Sequence, residues 1–158
     1  MMRAVKVAAG QGDARDVLGS SDTVKLMAGQ SGGALGLVEW EETRGSGPPL
    51  HVHSREDEGY YVLEGEVTFF VGDEVVFAPR GTFLFAPRGV PHSWRVESEA
   101  AAALQMIVPG GFESFFLETF PAASDSGPKD VGLDQIADAA AKFGVTILGP
   151  QPGSDGAG

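Results

Sequence analysis

An all-β fold, a sandwich or closed barrel, is predicted by three features of the chain. Apolar runs of strand length recur along it, glycine (23 residues) and proline (10 residues) punctuate the gaps, and all three histidines sit between positions 51 and 92. Short strands with Gly/Pro corners are the pattern of sandwiches and barrels, because glycine and proline supply turn backbone and interrupt helices.

Strand-like runs occupy residues 4–8, 23–28, 34–43, 59–63, 66–71, 74–78, 82–86, 92–97 and 102–108. Turn signals separate them: GSGPP at 45–49, EGE at 64–66, VGDE at 71–74, PRG at 79–81 and PRGVP at 87–91. Gly72-Asp73, between two β-rich runs, reads as a two-residue hairpin turn. The glycine-rich GQSGGALG at 29–36 reads as a loop at the barrel mouth. Beyond Pro109 the pattern changes. GGFESFFLETF at 110–120 predicts a short helix whose Phe112, Phe115, Phe116 and Phe120 cap a barrel end or join a dimer contact. Residues 121–130 read as a polar linker. Leu133, Ile136, Ala137, Ala140 and Phe143 then form a helical stripe, with Gly144 as a stop and GVTILGP as its run-out. The expected organisation is a barrel unit over 1–120 with its core at about 34–108, a linker and C-terminal helix over 121–148, and a disordered tail over 149–158.

With 158 residues, 42% hydrophobic and 21% charged, the chain has the size and composition of one globular domain. Its net charge of −11 disfavours nucleic acid and anionic membranes as partners. The absence of cysteine excludes disulfides, thiolate ligands and a cysteine nucleophile. No secretory h-region precedes Asp13 and Arg15, and no apolar run approaches the ~18 residues of a membrane span, so a soluble cytoplasmic protein is expected. P-loop, dinucleotide-binding and nucleophile-elbow patterns are missing.

The histidines carry the chemistry. His51 and His53 are spaced to share one face of a strand, Glu58 follows five positions later, and His92 stands in PRGVPHSW. Imidazole and carboxylate are donors for mid-row transition metals. Asp57 is the alternative to Glu58, while Arg55, Glu56 and Asp57 otherwise read as solvated turn charges. The competing view, that the histidines are ordinary structural or exposed residues, needs all three to fall together by accident.

The glycines and prolines around them extend the pattern. Gly45, His51, His53, Glu58 and Gly65 match G(X)5HXH(X)3,4E(X)6G, and Gly81, Pro87, Gly89 and His92 match most of G(X)5PXG(X)2H(X)3N. These are the two motifs of the cupin superfamily, and residues 45–96 resemble it, with Val96 in place of the final Asn. Of the two acidic candidates only Glu58 has six residues between it and Gly65. The resemblance implies a double-stranded β-helix, or jelly-roll barrel, with short C-terminal helices. It implies that His51, His53, Glu58 and His92 hold one divalent transition metal (Fe, Mn, Ni, Co, Cu or Zn). The layout is similar to quercetin 2,3-dioxygenase-like cupins, in which O2 adds across an enolic heterocycle and carbon monoxide is released. By that likeness Glu58 is both ligand and general base. Small cupins are commonly dimers, and a homodimer paired through the strand at 4–8 is expected, the alternative being that this segment folds onto its own barrel.

Strand alternation extends the site into a pocket. An inward Glu58 brings Tyr60 and Val62 inward, and an inward His92 brings Trp94 and Val96. Phe83 and Phe85 are expected to join them, with either Leu104 and Met106 or Gln105 and Ile107 from the last strand, Met106 being counted with the lining. Such a wall suits an aromatic or apolar small molecule, with O2 as second substrate. A non-oxidative cyclase, isomerase or lyase, and a non-catalytic binding module, are the alternatives.

Overall fold

Eleven strands in two antiparallel sheets are found among residues 3–124 and 131–154, which the computed structural model describes. From β3 (Gly36–Thr43) to β10 (Ala100–Val108) the chain is one long hairpin wound on itself. β3 pairs with β10, β4 (Leu50–His53) with β9 (His92–Val96), β5 (Asp57–Glu64) with β8 (Phe83–Ala86), and β6 (Glu66–Val71) with β7 (Glu74–Pro79). Successive pairs alternate between sheets and, with β1 (Asp13–Val17), β2 (Ser20–Leu26) and β11 (Val145–Gly149) added at the edges, give the orders β1-β2-β3-β10-β5-β8 and β11-β4-β9-β6-β7. This is the double-stranded β-helix. The winding closes at Gly72-Asp73, where Val71 pairs with Glu74 across the two-residue turn. Gly65, between β5 and β6, has φ +76° and no room for a Cβ against the Ala100 carbonyl, so the corner demands glycine.

Three elements differ from the sequence reading. The 4–8 segment is not a strand. Val5 and Val7 instead line a shallow groove with Leu37 and Leu104, and Lys25 Nζ donates to the Ala8 carbonyl at 3.2 Å. The first strand is β1 (Asp13–Val17), whose DARDV sequence carries little β signal and is recruited by its hairpin with β2 (Ser20–Leu26). GVTILGP does not extend a helix. Gly144, at φ +76°, ends α2 (Leu133–Lys142), and β11 (Val145–Gly149) pairs with β4. Beyond it the chain is held, rather than loose from residue 149: the Gln151 side chain donates to the Trp94 carbonyl at 2.7 Å. Residues 125–130 of the linker and 155–158 of the tail lie outside the described residues.

Two apolar clusters fill the barrel. One, around Trp40, Tyr60, Val62, Phe69, Trp94 and Val96, closes one end. The other joins Val24, Val38 and Ile107 to Phe112, to Phe115 and Phe116 of α1 (Glu113–Thr119), to Phe120, and to Ile136 and Ala140 of α2. The phenylalanines are thus buried as a cap. Glu113 fastens that cap: fully buried, it accepts from the Ala28 amide at 2.6 Å and the Gly111 amide at 2.7 Å.

Candidate metal centre and cavity

The wound hairpin brings both sequence motifs to one point between the clusters. His51 and His53 face inward from β4, His92 opens β9 directly opposite His51, and Glu58 reaches across from β5 in the other sheet. Their donor atoms all lie within 4.8 Å of one another, and all four residues are buried.

The backbone and one neighbouring acid set the imidazole orientations. His51 Nδ1 lies 2.8 Å from the Pro49 carbonyl, His92 Nδ1 3.1 Å from the Val90 carbonyl, and His53 Nδ1 3.2 Å from Glu56 Oε2. Carbonyl and carboxylate oxygens only accept, so each Nδ1 carries its hydrogen and each Nε2 is turned to the centre. Outer partners of this kind select the tautomer that ligates through Nε2.

Glu58 is held as firmly. Tyr60 Oη donates to Oε2 at 2.7 Å, Gln105 Nε2 donates to Oε1 at 2.6 Å, and His92 Nε2 stands 2.8 Å from Oε2. Burial by itself would raise its pKa, but His53, His92 and His51 outweigh that and hold the carboxyl well below the usual range. Burial first, then His92, pushes His51 down to about 3, so its ring is neutral at ordinary pH. Burial also opposes a charge on His92, yet the hydrogen bond to Glu58 raises it on balance. Tyr60 is raised well above its ordinary value by burial and then by Glu58, which keeps its hydroxyl a donor.

The donor set fits a divalent transition metal. His53 Nε2 is buried, lies 3.4 Å from Glu58 Oε2 and makes no hydrogen bond, which leaves a lone pair aimed at the other three donors. Three imidazoles ligating through Nε2 and one carboxylate are a coordination set for metals of the Mn to Zn row.

Against the centre lies a cavity of about 550 Å3, within the usual range of small-molecule sites. His51, Trp94 and Gln105 form its inner wall, with Phe112, Phe116 and Ile136 opposite, and the exposed Leu18 and Leu133 at its rim. The ring of Phe112 meets that of His53 edge-on at 4.5 Å.

The expected pocket residues fare unevenly. Trp94 lines this cavity. Tyr60, Val62 and Val96 point inward but are sealed in the closed cluster, Tyr60 touching the centre through Glu58. Phe83 and Phe85 are corrected: they are 56% and 55% exposed on the outer face, because β8 pairs with Leu84 opposite Tyr60 and Ala86 opposite Glu58. Met106 is corrected too, since Gln105 and Ile107 are the buried residues of β10 at that point. Glu56 is no solvated turn charge, being 6% exposed beneath His53, whereas Asp57 does face solvent in a pair with Arg88. Of the two alternatives for the last strand, Gln105 does line the cavity, whereas the wall contributed by Asp22 and Glu42 and the helical wall were missed. The only signal for Glu56 was its position three residues after His53.

Residues 38–108 match the cupin domain family. A quercetin 2,3-dioxygenase of Bacillus subtilis (strain 168) is 32% identical over 110 residues, covering 68% of this chain. The chain spans about a third of that relative's length, the match covering 32% of it. Among solved structures, KdgF from Halomonas sp. superposes with a TM-score of 0.64 at 18% identity, covering 71% of this chain and 99% of its own. A predicted oxalate decarboxylase from Thermotoga maritima gives 0.59 at 22% identity, covering 66% and 99%. These two likenesses are of fold alone. No helix among the described residues is long and apolar enough to cross a membrane. Wound hairpin, paired motifs and family match agree: the chain is a cupin, and over its barrel it resembles quercetin 2,3-dioxygenase-like proteins.

Proposed function

We propose that this protein is a metal-dependent dioxygenase of an aromatic, enolic small molecule of flavonol type. One observation carries the reading. A buried carboxylate, fixed by Tyr60 and Gln105 amid three Nε2 atoms, stands beside an apolar cavity of small-molecule size. His51, His53, Glu58 and His92 would hold one divalent transition metal, which when bound supplies a Lewis acid for the substrate's enol oxygen and a site for O2 chemistry. Glu58 takes the enol proton, because it is ionised and adjacent to the site where that oxygen must lie. Phe112 and Phe116 exclude water from the ionised substrate. Overall, O2 adds across the heterocycle, two C–C bonds break and carbon monoxide leaves.

The test is metal analysis of protein purified without chelator, followed by O2 uptake with a series of flavonols. Glu58→Gln is expected to retain much of the metal and lose turnover. Full activity in that variant would remove Glu58 as the base, and equal turnover under nitrogen would overturn the oxygenase reading in favour of a lyase or isomerase.

A cytoplasmic homodimer belongs to the same proposal. Tyr61, Phe83 and Phe85 make an exposed aromatic face beside the open edge of β8, and a second copy covering it would bury both liabilities. Sedimentation equilibrium decides this, a monomer at tens of micromolar being the contrary result.

A further inference from the structure

Two carboxyl groups line the cavity apart from the metal centre. Asp22 on β2 and Glu42 on β3 project from the inner face of the six-stranded sheet, and neither belongs to the four-residue cluster. Both are buried, at 4% and 9% exposure. Glu42 Oε2 accepts from Trp94 Nε1 at 3.0 Å, but Asp22 Oδ1 has no protein partner. Gln105 Oε1, on the same cavity wall, is also buried without one.

No lysine or arginine lines the cavity among the described residues, and most of its wall is Phe, Leu, Ile, Val and Pro. An anionic group placed at the Asp22 and Glu42 wall would meet carboxyl groups with no lysine or arginine to neutralise it. A purely apolar ligand would leave Asp22 Oδ1 and Gln105 Oε1 unsatisfied, at the usual cost of a buried acceptor without a donor. A hydroxyl group is the complement of both acceptors and brings no charge.

We propose that Asp22 and Glu42 form a second polar wall of the cavity, which selects ligands carrying a hydroxyl donor on an aromatic or apolar body, with the Asp22 carboxyl as the acceptor. The inference rests on the reading of this cavity as the ligand site and is independent of the oxygen chemistry. Asp22 and Glu42 are specificity residues in it. The pair shares no atom with the metal ligands, so binding and turnover are separable.

Calorimetric titration of the protein as purified with 4-methylphenol, toluene and benzylamine tests it. The phenol is expected to bind about 10-fold more tightly than toluene, the ratio that one hydrogen bond to a buried carboxyl produces. Asp22→Leu should bring the two within about twofold while leaving toluene affinity unchanged or improved. Equal affinities in the wild type, a phenol preference that survives Asp22→Leu, a gain for benzylamine alone, or no binding of any probe would overturn the proposal. Should Asp22→Leu not fold, the near-ultraviolet spectrum of 4-methylphenol bound to the wild type decides. A red shift, from a hydroxyl donating to a carboxyl, supports the assignment, and an unshifted band overturns it. Failure of flavonols to consume O2 would count against the dioxygenase reading and leave this result standing.

Discussion

Tyr60 donates its hydroxyl to Glu58 Oε2 at 2.7 Å from two residues along the same strand, while Gln105 on the neighbouring strand secures Oε1 at 2.6 Å. Both donors are buried, and both bonds end on a carboxylate that water does not reach. Removing either donor leaves part of that charge unsolvated. Tyr60→Phe and Gln105→Leu are each expected to destabilise the metal-free protein by about 2 kcal/mol, the range for a hydrogen bond to a buried charged group. The double variant should differ from the sum, because both bonds hold one side chain. Urea denaturation of the four proteins checks this, and additive or negligible losses would refute the shared restraint.

Glu56 gives a sharper contrast with its neighbour. Its carboxylate accepts from His53 Nδ1 beneath the centre, whereas Asp57 turns outward to Arg88. Glu56→Ala frees the His53 ring to rotate and should weaken metal binding about 10–100-fold, the usual loss when an outer partner of a histidine ligand is removed. Asp57→Asn should leave affinity unchanged. Competition with a chelating dye measures both, and equal affinities for the two variants would remove Glu56 from the site.

These pairs mark how far the site was legible in the sequence. His51, His53, Glu58 and His92 stood out because glycine and proline corners hold them at fixed spacing, and a wound hairpin can close on itself only with such corners. The face of β8 was not legible. FLFA offers Phe83 and Phe85 to one side and Leu84 and Ala86 to the other, and both sides are apolar. Pairing with β5 decides it, placing Ala86 opposite Glu58 where the crowded centre has room for a small side chain. The rest of the cavity was hidden for a related reason. Asp22, Phe112 and Ile136 come from three separate elements that meet only in the folded chain, and no local pattern assigns them to one wall.

Glu113 joins the cap to the barrel mouth. Glu113→Ala would leave the Ala28 and Gly111 amides without their acceptor, at about 1–3 kcal/mol each. A loss of roughly 2–6 kcal/mol is expected, with Glu113→Gln intermediate because its amide keeps one oxygen. Hydrogen exchange at those two amides should accelerate in the alanine variant before global unfolding does. Unchanged protection would mean that the loop is held by other contacts.

Glu42 supplies the pH dependence. Burial, partly offset by the Trp94 hydrogen bond, raises its pKa to about 7 from an ordinary value near 4.5. The folded state therefore keeps this proton over a range in which the unfolded chain has lost it. Stability is full below about pH 4.5, falls as pH rises towards 7 and is level above, a total on the order of 3 kcal/mol for this group. Asp22 is raised as well, by burial and then by Glu42, so it acts in the same direction. Glu42→Gln keeps an oxygen for Trp94 Nε1 and removes the titration. Its melting temperature should match the wild type near pH 4 and exceed it by roughly 6–12 °C at pH 8, given ~2–4 °C per kcal/mol for a chain of this size. Thermal unfolding of the two proteins across that interval gives the difference directly, in which the remaining carboxylates largely cancel. Parallel curves would show that Glu42 ionises in the folded protein as readily as in water.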